Sequence, residues 1–126
     1  MAMEKIDINE FNELQWHDAV IKNIRIDRSR PGINDIIEFL ITWFDGTQSR
    51  LCFKDIYWVD LNMNFGIVAP ESILRAFSEG KENLIVDESY TKWNGMIDDV
   101  DLYYYEIETN STRSKLRIIA ETCWID

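Results

Sequence analysis

The chain has 126 residues, 46% hydrophobic and 29% charged, which is the composition of one ordinary globular domain spanning residues 1–126 with a single core. Its 23 acidic and 13 basic residues leave a net charge of −10 spread along the chain, which weighs against DNA and anionic membranes as partners, since both demand a basic patch. Cys52 and Cys123 show neither CxxC spacing nor a neighbouring histidine, no stretch approaches the roughly 20 apolar residues of a membrane span, and the N-terminus lacks a signal pattern, so the expectation is a cytoplasmic protein with free thiols and no metal or cofactor.

The first ten residues are polar and read as a lead-in, with Phe11 and Leu14 as anchors onto the body of the domain. In "LQWHDAV" (14–20), Trp16 is expected to be buried, His17 to open a strand, and Asp18 to cap its start. "VIKNIRID" (20–27) is β-branched, with Val20, Ile24 and Ile26 on one face and Lys22 as the exception. "RSRPGIN" (28–34) is a turn. The runs "DIIEFLITWF" and "TQSRLCFKDI" predict a hairpin. A three-residue loop over 45–47, with Gly46 left-handed in a bulge, sets Ile41 against Leu51 and Phe39 against Phe53.

"PESILRAFSEG" (70–80) has Pro70 at a first helical position, Glu71 in the first turn and Gly80 as the stop, so a short helix is predicted near 70–79 with Ile73, Leu74 and Phe77 on one side. "NLIVDES" reads as a strand and "KWNGM" as a turn. The closing segment "VDLYYYEIETNSTRSKLRIIAETCWI" predicts a long hairpin whose loop over 110–113 pairs Ile107 with Leu116, Tyr105 with Ile118 and Tyr103 with Ala120. The sum is an α+β, mainly β fold: an antiparallel, strongly bent sheet or small sandwich of 5–7 strands with one short helix.

Three stretches, "LQWHDAVI" (14–21), "NMNFGIVAPESIL" (62–74) and "YEIETNSTRSKLRIIA" (105–120), together resemble a family of small, acidic, mostly β bacterial proteins of uncharacterised function. The resemblance implies a single domain and a bacterial source. It assigns no catalytic residue.

His17 is the only histidine and the one candidate catalytic group. A general base needs a partner to set its tautomer, and if these residues are extended, His17 and Asp18 point to opposite faces. "DDVD" (98–101), with Asp55 and Asp60, is a candidate cluster for a hard cation but lacks EF-hand spacing. "MNFG" (63–66) could present backbone amides to an anion, yet it carries one glycine and no lysine. Tyr104 is expected on the outer face with Leu102, opposite Tyr103 and Tyr105; Tyr104 and Trp58 join Trp16, His17 and Asp18 as candidate binding residues.

The composition fits a non-enzymatic protein-interaction module, of the immunity type that neutralises a toxin, recognising another protein with a basic surface. One alternative is a small-ligand-binding or enzymatic β-domain with its site around His17. Another is a structural or accessory domain that forms homo-oligomers.

Overall fold

The final hairpin frames the molecule. In the computed structural model, which describes residues 2–126, β6 (Tyr103–Thr109) and β7 (Lys115–Ile125) pair in the register that apolar matching predicts: Tyr103 with Ala120, Tyr105 with Ile118, Ile107 with Leu116. Thr109 N donates to Ser114 O at 3.0 Å, closing the loop at 110–113. A second hairpin joins β3 (Ile36–Thr42) to β4 (Gln48–Asn62). Here the pairing is Ile37 with Phe53, Phe39 with Leu51 and Ile41 with Ser49, two residues away from the expected register. The loop is 44–46 rather than 45–47, because Trp43 N bonds Thr47 O at 2.8 Å and the Asp45 carboxylate accepts from the Thr47 amide at 3.0 Å. Gly46 is left-handed at φ 88°, as its place in a bulge requires. A slip of two keeps every side chain on its expected face.

β4 then pairs along its length with β7, and the sheet order is β2-β3-β4-β7-β6-β5, where β2 is Val20–Asp27 and β5 is Ile73–Glu79. A short β1 (Glu4–Ile6) pairs with the far end of β7, beyond β6. All pairings are antiparallel. With helices α1 (Ile8–Glu13) and α2 (Leu84–Lys92), this is the expected α+β, mainly β class, built as one bent sheet rather than a sandwich. The sheet does not close, yet its two edges meet at one corner. Val20 bridges Ser72, Ile21 N donates to Glu71 O at 3.0 Å, and Ile73 N donates to Ala19 O at 2.7 Å.

Bending places a core on each side. The inner face holds Ile21, Ile37, Phe39, Leu51, Phe53, Tyr105, Ile107, Leu116 and Ile118, with Phe11 of α1 pressed into it. Phe11 lies 4.7 Å from the Trp16 ring centroid and 5.1 Å from that of Tyr105. Helix α1 is only one and a half turns long, so its own hydrogen bonds would not sustain it. A capping box holds it, in which Glu10 N donates to Asp7 Oδ1 at 2.7 Å. Asn12 also clamps it to β5 by bonding both the amide and carbonyl of Ser78. The outer face carries a smaller core of Val86, Ile97, Leu102, Tyr104 and Ile119 under α2.

The segment near 70–79 is a strand, not a helix. A bulge between Ile73 and Arg75 puts Ile73 and Ala76 on the same side, so a strand acquires the three-residue apolar spacing of a helix. Pairing then decides the conformation, with Ala76 opposite Ile107 and Ser78 opposite Tyr105. The segment read as a strand at 83–89 is instead the start of α2. Ile85 and Val86 supply the β-branched signal, but the Asn83 side chain accepts from their amides at 2.9 and 3.3 Å and caps a helix. In β2 a bulge at Lys22 brings Ile21, instead of Val20, onto the core face with Ile24.

Candidate functional site

Trp16 is buried, as expected, and its indole Nε1 donates to Phe11 O at 2.7 Å. His17 and Asp18 do not open a strand. They form a turn closed by Ala19 N donating to Trp16 O at 3.0 Å, with Asp18 left-handed at φ 66°. That turn overrides the opposite-faces expectation, since it brings the Asp18 carboxylate to 3.6 Å from His17 Nε2. Nδ1 lies 3.3 Å from the Leu74 carbonyl, which can accept from it. The ring is therefore tethered to β5, but 70% of the His17 side chain is in solvent. Four clefts on the molecule are lined by other residues.

Tyr104 does face outward from the inner core, but α2 and the 97–102 segment cover it. Its hydroxyl donates to the buried Glu106 carboxylate at 2.6 Å, and burial together with this neighbour pushes its ionisation well above the usual tyrosine range. Trp58 is half-buried beneath the Arg117 guanidinium, 5.2 Å from its ring centroid, and Arg117 is in turn paired with Asp60. The five candidate binding residues thus do not converge on one site. Trp16 and Tyr104 are core, His17 and Asp18 make a surface turn, and Trp58 lines clefts elsewhere.

A different set of residues does converge. A cleft of about 500 Å³ lies where β1 and the start of α1 approach β6 and the bend of β7. Asp7, Asp99, Asp101 and Glu121 line it, Tyr103 and Tyr105 contribute to its walls, and Lys5 is the cation among its lining residues. One oxygen of Asp7 is committed to capping α1. Glu121 stands at a corner where the core-facing side of β7 changes parity, from Ile118 and Ala120 to Cys123. Opposite it on β4, Asp55 is left-handed at φ 55°. Burial, and then the charge of Asp55, raise the Glu121 carboxyl above the ordinary glutamate range, while Lys5 opposes the shift.

Among the described residues, no group of three or more His, Cys, Asp or Glu is arranged to hold a metal ion. The "DDVD" cluster is split accordingly: Asp99 and Asp101 join this cleft, whereas Asp60 pairs with Arg117 on the outer face. What the cleft suits is a larger cation with an apolar stem, such as a lysine or arginine side chain, its head among spread carboxylates and its stem against the tyrosine rings.

Neither protein-family models nor curated proteins give a match to the chain. No helix among the described residues is long and apolar enough to cross a membrane.

The sequence signal for this cleft is partial. The acidic run at 98–101 is visible, but Asp7 sits in what reads as a polar lead-in and Glu121 within a strand. Only the pairing of β1 with β7 brings them together.

Proposed function

We propose that this chain is a non-enzymatic bacterial protein-interaction module of the immunity type, acting in the cytoplasm on a partner with a basic surface. The observation that carries this reading is the cleft lined by Asp7, Asp99, Asp101 and Glu121 beside tyrosine rings. The net charge of −10 attracts a basic protein over the Debye length, about 8 Å at physiological salt. The cleft then seats one of its cationic side chains. His17 supports the non-enzymatic reading, because it sits in an exposed turn with a carbonyl and one carboxylate as neighbours.

The test is titration with a short arginine-rich peptide, read from the backbone amide signals of the labelled protein, alongside co-expression with a toxin encoded beside its gene. The expected result is saturable shifts at Asp99, Asp101 and Glu121 that weaken with salt, and rescue of growth that Asp99→Asn with Asp101→Asn diminishes. Binding that is indifferent to salt and to this double variant overturns the reading.

A further inference from the structure

Strand β4 is longer than the strand that covers it. Its pairing with β3 ends at Lys54 opposite Ile36, whereas β4 continues to Asn62. From Trp58 to Asn62 it is paired with β7 on one side, Trp58 opposite Ile119 and Asn62 opposite Lys115. Among the described residues, no backbone group bonds the other side of that stretch. The bulge at Tyr57 turns this edge away from the end of β3 and leaves a cleft of about 320 Å³ along it. Ile26 and Ile37 form one wall, Ile56 and Val59 the other, and the Arg28–Asp35 ion pair at 2.9 Å stands at its rim. Ile26 is 55% exposed.

We infer that the open edge of β4 at residues 58–62 accepts an extended segment of the basic partner as an added strand, with apolar side chains entering the Ile26–Val59 cleft and basic ones on the opposite face. Unpaired amide and carbonyl groups in a row are complementary to another strand and to little else. Side-chain alternation then sets the sequence class. Val59 and Leu61 pack toward the inner core, so every second residue of the incoming strand faces apolar surface. The residues between them lie beside Asp60, whose only ion-pair partner among the described residues is Arg117. A second copy of this chain is a poorer occupant, since each brings a net charge of −10.

This inference rests on the partner-binding reading, and the experiment separates the two. The probe is a short peptide of alternating leucine and lysine, compared with its alternately N-methylated form, which cannot donate along one edge. Amide exchange and shifts of the protein are the readout. Protection at Val59 and Leu61, whose amides face the open edge, is expected with the plain peptide, lost on N-methylation and weakened about tenfold by Ile26→Lys, a change at a surface position. Equal binding of the N-methylated peptide overturns the edge. So does a response confined to Glu121 and its neighbours, which leaves the acidic cleft and the partner reading standing. If neither this peptide nor an arginine-rich one binds, both fall.

Discussion

Glu121 carries a cost that the fold imposes. Its folded-state ionisation lies above that of the unfolded chain, so between the two values the folded protein holds the extra proton, and the penalty is complete above the folded value. Glu121→Gln should therefore raise Tm at neutral pH. The gain should fade as the pH falls from the folded value toward the ordinary glutamate value, about 4.3, and be gone below it, and thermal melts of both proteins across pH check it. The same variant should bind an arginine-rich peptide more weakly, so stability and binding move in opposite directions. Tyr104 stabilises the fold through a hydrogen bond instead. Its hydroxyl satisfies the buried Glu106 carboxylate, and Tyr104→Phe should cost about 1–3 kcal/mol by leaving that acid without its donor, measured by urea unfolding. At this scale the sequence is a fair guide to burial and a poor one to sites. Trp16 and Phe11 announce themselves as core by size, but the neighbours of His17, Asp7 and Glu121 depend on chain crossings that no local pattern encodes.

The second hairpin and the two helices show what local pattern does and does not carry. Where a strand pair is regular, as in β6 and β7, apolar matching is enough to read its register. Where a bulge intervenes, the period shifts from two to three, and Ile73 with Ala76, Ile21 with Ile24, and Ile56 with Val59 all present spacings a helix would share. The helix expected at 70–79 is the consequence in one case; in β2 it is the wrong residue assigned to the core. Helix α2 was hidden by Ile85 and Val86, whose strand preference is overcome by the Asn83 cap and by burial of Val86 against Tyr104 and Leu102. Asn83→Ala should then destabilise the protein by about 1 kcal/mol, seen as a lower urea midpoint. Gly46→Ala should destabilise it as well, because nothing crowds the site and yet φ is 88°, a conformation that alanine resists. An unchanged melting temperature for Gly46→Ala would show that the 44–46 loop adopts another turn.

As a whole, the molecule is one sheet with a core on each face, and its acidic residues outnumber its basic ones. Local ion pairs such as Arg75 with Glu108 and Arg50 with Asp126 are weakened by salt, but the excess of −10 means that general repulsion is screened too. Added sodium chloride should on balance raise Tm, which calorimetry over a salt series measures; a fall would mean that the ion pairs outweigh the net charge. Amide exchange should also be uneven. Amides in the paired parts of β6 and β7 should be protected more than those of α2, which touches the sheet through a small core.

The pairing of Glu4–Ile6 with Cys123 to Ile125 also has a consequence in time. A ribosome releases the amino end first, so Ile6 and Phe11 emerge long before β7 and Tyr105 exist to receive them. Until then these apolar groups lack their native cover. Folding must end with an encounter between distant parts of the chain, the slow kind. Apolar surface left open in this way is the condition under which association competes with folding.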